Sequence, residues 1–175
     1  MRMKKLLLLS AFLLLLLASC GQGGWVVFEG DAWTAEFPGT PKDTATMEGD
    51  VSGIKVFYEP PQGHLDSNVY YAVSQYTTAD TLSELSAHLE KLFRADVQVY
   101  AWGVGTGFVD TLVRPVKAGA AGGYEYRVTV GENAGIARIR KFAWGKRIYT
   151  VMVLTENSRL LNTQADRFLN SFKLK

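Results

Sequence analysis

Apolar and polar positions alternate one by one along much of this chain, and the period changes to that of a helix in two places. Trp33, Ala35 and Phe37 alternate with Thr34 and Glu36, the pattern of a half-buried strand, and Pro38 and Pro41 end it. Before it, Trp25-Val26-Val27-Phe28 reads as a strand with a turn at Glu29-Gly30-Asp31. "KDTATMEGD" and "VSGIKVFYEP" read as two strands joined at Gly49-Asp50. In "NVYYAVSQYT", Val69, Tyr71 and Val73 share one face, and Tyr70, Ala72, Ser74 and Tyr76 share the other. "FVDTLVRPV" is expected as a strand limited by Pro115, with "KAGAAGG" as the turn after it. In "YEYRVTV" the alternation puts Tyr124, Tyr126, Val128 and Val130 inward and Glu125, Arg127 and Thr129 outward. After a turn at "GENAG", "IARIRKFAW" and "RIYTVMVLT" are strands around Gly145-Lys146.

The helical period appears first after Thr81-Leu82-Ser83-Glu84, which fits a capping box. Leu82, Leu85, Leu89, Leu92 and Phe93 then form one apolar stripe. This helix is expected to fade near Val97 to Trp102, where β-branched and aromatic residues gather. A second helix is expected from Ser158, as its cap, to Phe172, burying Leu161, Ala165, Phe168, Leu169 and Phe172. Successive hairpin-spaced strands with two separate helices predict an α+β fold: a largely antiparallel sheet with two main helices packed on it.

Residues 1–19 depart from this pattern. Arg2, Lys4 and Lys5 precede an almost wholly apolar run, Leu6 to Ala18, which ends in the small residues Ala18 and Ser19. A basic start, a short apolar run and a small-residue exit are the marks of an export signal. The run falls short of the roughly 20 residues that span a bilayer as a helix, so a cleaved signal is expected over a permanent transmembrane anchor. Cys20, the chain's 1 cysteine, follows directly, which excludes an internal disulfide. Leu17-Ala18-Ser19-Cys20 resembles the lipobox of bacterial lipoproteins. That resemblance implies diacylglycerol on the Cys20 sulfur, cleavage before Cys20 by signal peptidase II, acylation (as with palmitate) of the freed amine, and a place in the cell envelope. Gly21, where an Asp would retain a Gram-negative lipoprotein in the inner membrane, implies the outer membrane if the source is Gram-negative. Gly21 to Gly24 is then a flexible tether reaching on the order of 10–12 Å, which holds the domain against the bilayer. The expected organisation is a signal over 1–19, a lipidated cysteine and linker over 20–24, and one domain over 25–175.

Composition is that of an ordinary globular chain, 47% hydrophobic and 21% charged, so disorder is not expected. The formal charge of +2 owes three of its bases to the signal, so it does not point to nucleic acid. The charge is instead divided along the chain. Residues 20–100 hold 12 acids and 4 bases, and residues 101–175 hold 5 acids and 12 bases. Arg138, Arg140, Lys141, Lys146 and Arg147 crowd one hairpin, and Arg138 and Arg140 share a face with Ile136, Phe142 and Trp144. Two readings stay open: a solvated face paired with the acids of the first half, or a basic, aromatic-edged patch for an anionic lipid, glycan or acidic protein.

Nothing in the sequence presents a catalytic site. His64 and His88 have no ligand-like spacing to Cys20 and no nucleophile elbow to serve. Gly103-Val104-Gly105-Thr106-Gly107 leaves a helix for a strand, the reverse of a dinucleotide loop, and reads as a turn. No metal and no cofactor is expected.

A wider resemblance covers residues 25–174. Phe37-Pro38-Gly39 with Pro41 at a strand end, the central amphipathic helix, the Gly123-Tyr124-Glu125-Tyr126 strand, "GKRIYTVMV" and a closing helix ending "FLNSFKL" look like the PsbP/Mog1-like superfamily, including bacterial DcrB-like proteins. The resemblance implies the α+β fold above and brings no shared catalytic residues. The expected function is a membrane-anchored, non-catalytic binding or assembly module of the envelope. An envelope hydrolase with an unrecognised site and a chaperone-like holder of apolar segments remain the alternatives.

Overall fold

The computed structural model describes residues 24–48, 51–61, 68–78, 89–103, 109–130, 135–156 and 162–175. Ten strands and two helices lie among them: β1 (Val26–Glu29), β2 (Trp33–Phe37), β3 (Lys42–Glu48), β4 (Val51–Tyr58), β5 (Asn68–Thr77), α1 (Leu89–Gly103), β6 (Val109–Ala118), β7 (Ala121–Val130), β8 (Gly135–Trp144), β9 (Arg147–Glu156), α2 (Thr163–Ser171) and β10 (Lys173–Leu174). The fold is α+β, mostly antiparallel sheet with few helices.

Two meanders build the main sheet. β3-β4-β5 and β6-β7-β8-β9 join where β9 pairs with β5, giving seven strands in the order β3-β4-β5-β9-β8-β7-β6, antiparallel throughout. Glycine dictates two hairpin turns among the described residues. Gly119 (φ +63°) and Gly145 (φ +60°) each take the first central place of a two-residue turn, a left-handed conformation that other residues rarely adopt. β1, β2 and β10 form a smaller sheet.

The two faces of the main sheet are covered differently. On one, Tyr71, Val73, Phe142, Tyr149, Val151 and Val153 pack against Trp33, Ala35 and Phe37 of β2 and Ala165, Phe168 and Leu169 of α2. Phe172, just past α2, is the hub, with its ring 5.4 Å from Phe142 and 5.9 Å from both Trp33 and Tyr149. On the other face, Phe93 and Val97 of α1 cover Tyr126, Val128, Ala137 and Ile139. The burial of β9 records the difference: Tyr149, Val151, Val153 and Thr155 are buried, while Thr150, Met152 and Leu154 alternate with them half-buried.

Four sequence expectations change. α1 does not fade near Val97 but continues to Gly103, because Phe93, Val97 and Tyr100 fall on one helical face and packing on the sheet outweighs the weak helix preference of valine. β6 is not limited by Pro115 but runs through it to Ala118; it is an edge strand, where a missing N–H costs no ladder bond. The cap of α2 is Asn162, whose side chain accepts from Ala165 N at 3.0 Å, and the helix ends at Ser171. Ser158 and Leu161 lie outside the described residues, as do the capping box at Thr81 and the turns at Gly49-Asp50 and Gly131. Beyond α2, Lys173 and Leu174 pair with Thr34 and Trp33 as a strand the pattern did not announce.

Candidate functional site: an arginine–glutamate cluster under the C-terminal helix

Register places the site. Across β6, β7 and β8, Arg114 stands opposite Glu125, and Glu125 stands opposite Arg140, so one row crosses three strands. Arg138, two residues before Arg140, falls on the same face. α2 lies over this face and contributes Asp166 and Asn170, which are four apart and so neighbours on the helix surface.

Glu125 is the centre. Its Oε2 accepts from Arg140 Nε at 2.7 Å and from Arg114 Nη2 at 2.9 Å. Its Oε1 accepts from Arg138 Nη2 at 2.9 Å and from Arg138 Nε at 3.2 Å. Burial by itself would raise this carboxyl's pKa, but the hydrogen bonds and charges of Arg140, Arg138 and Arg114 outweigh it and hold the pKa below the ordinary value. Arg138 also donates to Asp166 Oδ1 at 2.6 Å. Arg140 Nη1 donates to the Leu169 carbonyl at 2.7 Å and to Asn170 Oδ1 at 2.9 Å. A cation therefore sits on the Leu169 carbonyl near the end of α2, where the helix lacks its own donors and its dipole is negative.

A cleft of about 420 Å³ opens beside this cluster, lined by Arg114, Pro115, Val116, Lys117, Arg140, Asp166 and Asn170. Two other clefts differ in character. One of about 570 Å³ is mainly apolar and runs past Leu89, Phe93, Pro115, Tyr124, Ala143 and Trp144. One of about 220 Å³ lies between α1 and the sheet, past Lys55, Tyr76, Val97, Tyr100 and Lys141. There the Lys55 ammonium stands 5.1 Å from the Tyr70 ring, and burial, with Tyr70 second, pushes the Tyr100 hydroxyl's pKa up.

The five hairpin bases do not share one surface. Arg138 and Arg140 lie under α2, paired with acids of the second half of the chain rather than the first. Lys141 faces the other way, 5% exposed, with its ammonium 5.8 Å from the Phe93 ring. Lys146 is exposed in the β8–β9 turn, and its carbonyl accepts from Thr78 N at 2.8 Å. Arg147 is half-buried in β9 opposite Trp144 and Thr77. The sequence pattern does not single out Glu125, Arg114, Asp166 or Asn170. The signal was that Glu125 is one of only 5 acids among residues 101–175 and alternates onto the face of Arg138 and Arg140 once the strands pair.

Cys20, His64, His88 and residues 104–107 of the glycine-rich stretch lie outside the described residues. Among the described residues, no group of three or more His, Cys, Asp or Glu side chains is placed to hold a metal ion. Among them also, no helix is long and apolar enough to cross a membrane. No family model matches this sequence, and no curated protein matches it significantly.

Proposed function

We propose that this chain is an exported bacterial lipoprotein, anchored through lipid on Cys20, whose α+β domain is a non-catalytic binding or assembly module of the cell envelope. The observation that carries the reading is Leu17-Ala18-Ser19-Cys20 at the end of an apolar run, with β1 beginning at Val26, six residues later. So short a tether keeps the domain beside the bilayer, within reach of membrane proteins, anionic lipids or glycans, and nucleic acid is not among the partners. One acyl chain gives only reversible attachment, so stable anchoring needs the second signal that a doubly or triply acylated cysteine supplies. The sequence resemblance of residues 25–174 to the PsbP/Mog1-like superfamily, which includes assembly factors and chaperones, supports the same reading. Gly21 favours the outer membrane of a Gram-negative source.

The chaperone-like alternative has one observation in its favour, the mainly apolar cleft between Leu89, Phe93 and Trp144, which suits a short apolar segment.

Fractionation tests the anchor. The wild-type chain is expected in the membrane fraction, and Cys20→Ala is expected to leave the precursor unprocessed or release it. Equal processing and equal retention of the two chains would refute the proposal.

A further inference from the structure

The cleft beside Glu125 has a cationic excess that the cluster itself does not consume. Arg114, Arg138 and Arg140 face two carboxylates, Glu125 and Asp166, and both carboxylates are engaged by arginine, while Lys117, on the other face of β6 by strand alternation, reaches the cleft at the sheet edge. Lys117 is exposed and makes no ion pair among the described residues. Arg114 uses Nη2 on Glu125 and keeps its side chain 53% exposed at the cleft. Arg140 spends Nε on Glu125 and Nη1 on Leu169 and Asn170, and its Nη2 makes no hydrogen bond among the described residues.

The frame is rigid where it matters. Arg140 is 6% exposed and fixed by three hydrogen bonds to β7 and α2, so its remaining donors are held in place before any ligand arrives. A planar guanidinium held this way, a second one at the rim and an exposed ammonium at the sheet edge are a donor set for an oxyanion with several oxygens. The lining limits what the oxyanion is attached to. Only Pro115 and Val116 are apolar, so the cleft suits a polar body and not an acyl chain. Its volume of about 420 Å³ leaves room for such a body beyond the anionic group.

We infer that this cleft binds the phosphate group of a polar ligand, with Arg140 and Arg114 gripping the oxygens and Lys117 closing over them. The inference rests on the reading of the domain as a binding module and gives it a ligand class. A soluble phosphomonoester and a phospholipid headgroup share this chemistry, and the test separates them.

The full chain, purified in neutral detergent at low salt, is titrated in a calorimeter with inorganic phosphate, glycerol 3-phosphate and short-chain phosphatidylglycerol. At least one of these binds saturably. Its affinity falls at least tenfold in the Arg114→Ala/Lys117→Ala double variant, falls about threefold in Lys117→Ala alone, and is unchanged in Lys146→Ala, whose side chain lies in the β8–β9 turn. Binding of phosphate or glycerol phosphate assigns a soluble source; binding of phosphatidylglycerol alone assigns a lipid headgroup. Lys117→Ala touches no buried partner, so it decides the matter even if the double variant fails to fold. Saturable binding of none of the three probes, or equal affinity in wild type and Lys117→Ala, overturns the inference. Such a failure in a chain that still fractionates with membranes refutes the anion site alone. Phosphate binding by a chain that never reaches the membrane refutes the lipoprotein reading alone.

Discussion

Arg140 and Glu125 face each other across β8 and β7, with Arg140 Nε 2.7 Å from Glu125 Oε2, and the same guanidinium donates to the Leu169 carbonyl at the end of α2. One side chain thus ties the sheet to the helix that covers it. A buried ion pair gives little net stability over an apolar substitute, but removing one member leaves the other charge uncompensated. Glu125 accepts hydrogen bonds from three arginines at once, and it is the one carboxylate that all three share. Glu125→Gln is therefore expected to cost about 3–5 kcal/mol in urea unfolding, the range for breaking a buried pair. Lys146→Ala, in an exposed turn, should stay within about 0.5 kcal/mol of wild type. A loss under about 1 kcal/mol for Glu125→Gln would show that the cluster is not structural.

The same carboxyl gives the fold a pH dependence of known sign. Its pKa is lower in the folded chain than in the unfolded one. The unfolded state therefore binds the extra proton first as pH falls, and stability rises with pH across that window. The contribution is complete above the unfolded carboxyl's pKa of about 4.3 and is lost as pH falls through the lower folded value. Comparing unfolding midpoints from neutral pH down to pH 3, the wild type should lose more stability than Glu125→Gln. Parallel curves for the two chains would contradict the assignment.

Tyr71 and Tyr149 are both fully buried on the α2 face, yet their hydroxyls differ. The Tyr71 hydroxyl accepts from Asn68 Nδ2 at 2.7 Å, within a group in which Asn68 also bonds Thr155 and Asn162. The Tyr149 hydroxyl has no partner among the described residues. Tyr149→Phe should then be neutral or stabilising by up to about 1 kcal/mol, and Tyr71→Phe should cost about 1 kcal/mol or more. Thermal unfolding of the two variants settles it, and a reversed order would contradict the hydrogen-bond pattern.

Two neighbouring glycines differ in the same way. A Cβ at Gly123 would meet the Lys141 carbonyl and the Phe142 ring, whereas a Cβ at Gly122 would meet nothing within 4 Å. Gly123→Ala should cost about 1–3 kcal/mol, the range for overpacking, by forcing β7 from β8. Gly122→Ala should remain within about 0.5 kcal/mol of wild type. Equal melting temperatures for the two variants would show that β7 and β8 do not pair in this register.

The strands were legible in sequence because single alternation survives in most of them, and because Gly119 and Gly145 mark two of the turns. Around Glu125 the alternation gives the right period and the wrong environment. Alternation identifies the two faces of a strand but not what covers each, and α2, contributed by residues 163–171, covers the face that the polar residues of β7 share. Arg138 and Arg140 were visible as a pair for the same reason, while their acid partners were not. Glu125 lies on a neighbouring strand and Asp166 on a helix 26 or more positions away, so only the pairing of β7 with β8 and the seating of α2 bring them together. The ends of α1 and β6 depended on tertiary context too: a sheet under Val97, and an edge position for Pro115.

The central claim is that Cys20 is the first residue of the working protein and carries lipid. Intact-mass and peptide mass spectrometry of the chain extracted from its native membrane tests this most directly. The account predicts that residues 1–19 are absent and that the N-terminal peptide beginning at Cys20 carries a diacylglycerol mass, with or without a further acyl group. A membrane-extracted chain that retains residues 1–19, or whose Cys20 peptide has an unmodified mass, would contradict it.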